Sequence, residues 1–104
     1  MRRRDANQRA GRPVHHRLLT LRSRPNGLDH CRVGFAVGRP VGGAVVRNRV
    51  KRRLREIVRA LPIASGHDIV IAARPPSRGA SFGELRQAVA GCLRRAGLAA
   101  GGRR

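Results

Sequence analysis

Apolar residues along the chain change their period several times, and each change marks an element. Over residues 14–22, Leu19 and Leu21 alternate with Leu18, Thr20 and Arg22, the period of a strand, and Arg24-Pro25-Asn26-Gly27 supplies turn chemistry after it. Residues 31–37 repeat the pattern and place Cys31, Val33, Phe35 and Val37 on one face. These two strands are expected to pair as a hairpin. Beyond Gly42 and Gly43 the period lengthens: Val46, Val50, Leu54, Ile57 and Leu61 form one stripe on a helix over residues 44–61, which Pro62 terminates. Residues 67–73, bounded by Ser65-Gly66 and Arg74-Pro75-Pro76, read as a buried central strand. Ser81-Phe82-Gly83-Glu84 has the spacing of a capping box. Phe82, Leu85, Val89, Cys92 and Ala96 then make the apolar stripe of a last helix ending near Gly97.

With 104 residues, two Phe and no Trp or Tyr, the chain can bury one modest aliphatic core, so residues 1–104 read as a single domain. Residues 1–12 form a basic, polar segment expected to lack stable order in isolation, and residues 98–104 a flexible tail. The longest apolar run is residues 69–73, too short to cross a membrane, and no apolar stretch follows Arg2, Arg3 and Arg4 to make a signal segment. Cys31 and Cys92 form no ligand cluster and no disulfide framework, which points to a reducing compartment, the cytoplasm.

Charge narrows the partner. Lys and Arg number 24 against five acids, a formal net charge of +19. Composition bias in a G+C-rich genome explains Arg over Lys, but not that excess. On a helical wheel the apolar stripe of residues 44–61 falls within roughly 40° of Val50. Asn48, Arg52, Arg55 and Arg59 point the opposite way, and Arg49 and Lys51 flank them. This helix, on the order of 27 Å long, carries Glu56 as its only acid. A solvated surface helix mixes both signs to gain i,i+4 pairs; this one is built to meet phosphates, for which the guanidinium fork is suited. The glycine pair before it lets the helix N-terminus approach an anion.

The string Val33-Gly34-Phe35-Ala36-Val37, then Val41-Gly42-Gly43-Ala44-Val45-Val46-Arg47-Asn48-Arg49-Val50-Lys51-Arg52-Arg53-Leu54-Arg55-Glu56, closely resembles the signature of the bacterial ribonuclease P protein subunit. The resemblance covers roughly residues 14–97. It implies an α+β fold of αβββαβα type, a central mixed sheet, and a left-handed βαβ crossover around the Arg-Asn-Arg helix. It also implies binding to the catalytic RNA of ribonuclease P and to the single-stranded 5′ leader of precursor tRNA. The endonucleolytic hydrolysis is then performed by the RNA, with Mg2+ held by RNA and substrate rather than by the protein, and with no protein or membrane partner implied. By position, Arg47, Asn48, Arg49, Lys51, Arg52 and Arg55 inherit RNA contact; the wheel adds Arg59, and Arg39 lies in the loop before the helix. Thr20, Arg22, Asn48 and Lys51 correspond to the leader cleft. Two departures stand out. Arg4 and Gln8 occupy positions where the family carries a Phe pair, and Gly38-Arg39-Pro40 replaces the usual Ser-Lys-Lys.

No catalytic or metal-binding residues are expected from the protein itself. Metal-assisted phosphodiester cleavage needs converging carboxylates, whereas Asp5, Asp29, Glu56, Asp68 and Glu84 are dispersed in sequence. His15, His16, His30 and His67 lack acids or thiols at ligand spacing, and His67-Asp68 reads as a strand start. Two other classes share the charge. A structural RNA-binding protein, such as a ribosomal component, would lack the full Arg-Asn-Arg signature. A membrane-active or DNA-binding protein would need aromatic residues on the polar edge of the basic helix or a second helix at helix-turn-helix spacing.

Overall fold

The apolar segment His67–Ala73 becomes the strand around which the sheet is organised. A computed structural model describes residues 13–100. It contains β1 (Val14–His15), β2 (Leu19–Pro25), β3 (Arg32–Ala36), α1 (Ala44–Ala60), β4 (His67–Ala73) and α2 (Phe82–Arg95), with short 3-10 turns at Arg39–Val41 and Pro75–Gly79. β4 runs antiparallel to β2, from Leu19 opposite Ala73 to Pro25 opposite His67. On its other side it runs parallel to β3, from Arg32 opposite Asp68 to Ala36 opposite Ala72. β1 is antiparallel to β2, so the order is β1-β2-β4-β3. β3, α1 and β4 therefore form a parallel βαβ unit, and the mixed sheet of the α+β class is present. The expected segments 1–12 and 101–104 lie outside the described residues.

The expected hairpin between residues 14–22 and 31–37 does not form, because β4 lies between β2 and β3. The connecting loop straddles the approach to β4: Asn26 N–H donates to Gly66 O at 3.0 Å, and Gly66 N–H donates to His30 O at 3.2 Å. Both edges of the strand carrying Ile69 and Ile71 are thereby paired, satisfying its buried backbone groups. The single strand expected over residues 14–22 is also divided. His16 turns the chain, its N–H donating to Leu19 O at 2.9 Å and its Nδ1 accepting from Leu18 N–H at 3.0 Å. Leu18 is thus buried by a bend rather than by strand alternation.

One face of the sheet meets both helices. Leu19 and Leu21 of β2 and Ile69 and Ile71 of β4 are buried together with Val50, Leu54 and Ile57 of α1 and Leu85, Ala88, Val89, Cys92 and Leu93 of α2. Val33 and Phe35 of β3, Val46 and Leu61 are half-buried against this cluster, as their face assignments require. Pro62 follows the helix end, and α1 stops at Ala60 with Leu61 as its extended C-cap. Phe82 departs from expectation: as the first residue of α2 it stands past the last core layer and is 41% exposed.

Local signals set both ends of α2. Ser81 Oγ accepts from Glu84 N–H at 3.1 Å, and Glu84 Oε1 accepts from Ser81 N–H at 2.8 Å, the reciprocal capping box. At the other end Gly97 has φ +75°, Leu98 N–H donates to Leu93 O at 2.8 Å, and Gly97 N–H donates to Arg94 O at 3.0 Å. This is a Schellman motif, whose left-handed position favours glycine. It turns Leu98 back into the core, where it is only 3% exposed. Residues 98–100 are therefore not a flexible tail: Ala64 N–H donates to Leu98 O, Ala100 N–H donates to Pro62 O, and Ala99 bridges Ile63.

On the other face of the sheet, Asp68 ties β3 and the β2–β3 loop to β4. Arg32 donates from Nε to Oδ1 at 2.8 Å and from Nη2 to Oδ2 at 2.9 Å, and Asn26 Nδ2 adds a 3.0 Å bond to Oδ1. These hydrogen bonds, first from Arg32 and then from Asn26, hold the Asp68 carboxyl down to about 2 from its ordinary 3.8. A depressed carboxylate stabilises the fold above its unfolded value, and that contribution is lost as pH falls toward the folded value. Asp68→Asn should therefore lower the urea midpoint at neutral pH, and the gap to wild type should close between pH 4 and about 2. Denaturation curves of both proteins across that window check this; a gap independent of pH would contradict it.

Candidate RNA interface

α1 is a helix with two opposed chemistries. Its N-cap, Gly43, offers no side-chain acceptor, and no acid sits in the first turn. The first intrahelical bond is from Arg47 N–H to Gly43 O at 2.9 Å, so the amides of Ala44, Val45 and Val46 precede the hydrogen-bonded ladder. Gly42 is required here by space as well as by its positive φ: a Cβ would lie 2.9 Å from Val46 Cγ1. Arg39 is exposed in the 3-10 turn Arg39–Val41, at the same end of the helix.

The outer face carries what the wheel assigns to it. Asn48, Arg49, Arg52, Arg55 and Arg59 are exposed, and Lys51 is half-buried. Among the described residues none of these cations forms an ion pair; the two pairs present are Arg32 with Asp68 and His30 with Asp29. Even Glu56, exposed on the same helix, pairs with none of them. The exception among the helix's cations is Arg53, whose Nη1 donates to Ala80 O at 3.2 Å and fastens α1 to the turn before α2. Arg47 lies about 60° from Val50 on the wheel, which explains why it is half-buried, with an Nε atom that has no hydrogen-bond partner.

The sheet contributes a second polar surface, on the side away from the core. Strand alternation puts Thr20 and Arg22 there, Thr20 beside Ala72 and Arg22 beside Val70, with Ala36 and Gly34 on the far side of those two residues. The floor between them is small and flat, with Val70 45% exposed. Sequence reasoning missed Arg24 and Arg32 on this face, although the same alternation that selects Arg22 selects Arg24. Asn48 and Lys51 stand instead on α1, in the layer that packs against the opposite side of the sheet, and no hydrogen bond joins them to Thr20 or Arg22. The chain passes from the sheet to α1 at the strand end where Ala36 leads into the Arg39–Val41 turn.

The described acids are engaged or dispersed: Glu84 caps α2, Asp68 holds Arg32, Asp29 contacts His30, and Glu56 faces solvent. Among the described residues no three His, Cys, Asp or Glu side chains gather as a metal site, and no helix is long and apolar enough to cross a membrane.

A mixed β1-β2-β4-β3 sheet, with a cationic helix in its parallel crossover whose side chains form no ion pair among the described residues, defines a small, basic α+β protein. The ribonuclease P family model matches residues 5–97, and the chain belongs to the ribonuclease P protein family. It is 46% identical over 90 residues to the ribonuclease P protein component of Thermus aquaticus, covering 86% of this chain and 54% of that protein. It is 43% identical over 97 residues to that of Roseiflexus castenholzii, covering 90% and 80%. The Staphylococcus aureus RNase P protein superposes with a TM-score of 0.77 at 27% identity, over 94% of this chain and 92% of that one. The chain spans about half the length of the Thermus relatives it matches.

The difference between Arg53 and its neighbours is measurable. Arg53→Ala should lower unfolding free energy by about 1 kcal/mol, the scale of a lost hydrogen bond. Arg52→Ala and Arg55→Ala, being exposed, should stay within about 0.5 kcal/mol of wild type yet weaken RNA binding and flatten its salt dependence. Urea denaturation and filter binding at several salt concentrations separate the two effects; equal stability losses for all three would contradict the assignment.

Proposed function

We propose that this chain acts as the protein subunit of ribonuclease P. In this reading, the outer face of α1 binds the catalytic RNA through Asn48, Arg49, Lys51, Arg52, Arg55 and Arg59, with Arg47 and Arg39 at its N-terminal end. The observation that carries the proposal is this row of cations without counter-ions among the described residues, inside the family signature. Six to eight phosphates neutralised by such a row would make affinity fall about 10³-fold over a fourfold rise in salt. The outer sheet face, with Thr20 and Arg22 above a floor of Gly34, Ala36 and Ala72, receives the 5′ leader of precursor tRNA. Charge and hydrogen bonding then take the place of stacking on aromatic rings, because the described part of this face has none.

Cleavage of the leader belongs to the RNA subunit, working with Mg2+ in the cytoplasm. The described carboxylates do not fit a protein magnesium site, since they lie on separate elements and Asp68 already accepts three hydrogen bonds and Glu84 one. The protein's part is to lower the electrostatic cost of bringing two polyanions together and to hold the leader in line.

The test is multiple-turnover cleavage of precursor tRNA by the cognate ribonuclease P RNA at low magnesium, with and without the protein, using long and short leaders. Stimulation that grows with leader length, and that Arg22→Ala selectively reduces, is expected. Absence of stimulation would return the chain to the class of structural RNA-binding proteins.

A further inference from the structure

A surface pocket lies between the β1–β2 bend and the start of α2. It is open to solvent, is lined by His16, Arg17 and Leu18 of the β1–β2 bend and by Glu84, Gln87 and Ala88 of the first turns of α2, and has a volume of about 450 Å³. That is within the range of small-ligand sites. Leu18 and Ala88 are each 1% exposed and give it an apolar floor. Around that floor stand groups the fold leaves partly free. Glu84 spends one lone pair of Oε1 on Ser81 N–H and makes no ion pair among the described residues. His16 uses Nδ1 on Leu18 N–H, leaving Nε2. No side-chain hydrogen bond engages Arg17 or Gln87 among the described residues. Two further guanidiniums fix the wall: Arg74 Nη1 donates to His16 O at 3.2 Å, and Arg95 Nη1 donates to His15 O at 2.9 Å.

The geometry points to a pocket for a single unpaired guanine base of the RNA partner. The carboxylate of Glu84 offers acceptor capacity that a phosphate cannot use and that a base edge carrying N–H donors can. Guanine presents adjacent donors, N1–H and the 2-amino group, and an ionised carboxylate has acceptor capacity for both. Its O6 and N7 are acceptors, which the Arg17 guanidinium and the Gln87 amide complement, while Leu18 and Ala88 lie against the ring. Adenine would set its N1 lone pair against Glu84. The inference rests on the reading that the partner is RNA, and it adds a contact made by residues outside α1.

NMR titration of the full chain with guanosine and adenosine tests it, because uncharged nucleosides remove phosphate attraction. Guanosine should shift the Gln87 side-chain amide and Leu18 methyl signals, with adenosine binding at least about fivefold more weakly. Glu84→Gln retains the capping box, since Gln serves at that position, but turns the free acceptor into an N–H donor. It should abolish the guanosine preference while leaving the rest of the backbone spectrum unchanged. Silence of these signals, equal response to adenosine, or a preference that survives Glu84→Gln would each overturn the inference. Cleavage is not read in this experiment, so its failure and that of the ribonuclease P reading are distinguishable.

Discussion

A net charge of +19 on 104 residues drives a compact chain apart, and the attraction opposing it comes from one layer of aliphatic side chains between the sheet and two helices. No aromatic ring is fully buried in that layer; Phe35 is half-buried and Phe82 exposed. Closure therefore depends on completeness rather than on large side chains. Leu18 enters from a bend and Leu98 from a helix cap, each sealing an end of the cluster. β4 is the element on which this arrangement turns, since pairing on both edges holds Ile69 and Ile71 between the strands that carry Leu21 and Phe35.

Scarcity of acids shapes the polar structure as strongly. Where the fold needs a partner for a guanidinium it turns to backbone carbonyls: Arg53 to Ala80, Arg74 to His16, Arg95 to His15. Each joins elements distant in sequence without neutralising any charge. The one guanidinium–carboxylate pair among the described residues, Arg32 with Asp68, lies at the far end of the sheet. α1 is consequently left with its outer cations uncompensated, and the same economy of acids that strains the free protein preserves its attraction for a polyanion.

The parts of this structure that were legible in the sequence are those encoded by neighbours. The span of β4, the stripe on α1, the capping box at Ser81 and the stop near Gly97 each depend on residues within about one turn of each other. Pairing was not legible. Alternation identifies β2 and β3 as strands, but the partner that separates them arrives some forty residues later, and nothing in the Arg24–Gly27 turn chemistry reveals it. The packed course of residues 98–100 was hidden for the same reason, because it depends on residues 62–64. In the candidate interface, the wheel located the exposed cations of α1, including Arg59. It could not show that Arg53 would be held by Ala80, nor that Thr20 and Arg22 would fall on the layer opposite Asn48 and Lys51.

That separation bears on how such a protein could assist a reaction. In the proposed function, cations on α1 and on the outer sheet face address two different stretches of polyanion. Carboxylates that could repel either stretch are few, and Asp68 is masked by three hydrogen bonds. The protein's influence is then almost wholly electrostatic and positional, a long-range field that salt screens within a Debye length. At the β1–β2 bend, by contrast, Glu84 keeps acceptor capacity beside an apolar floor, and it is on this mixed polarity that the proposed base contact rests.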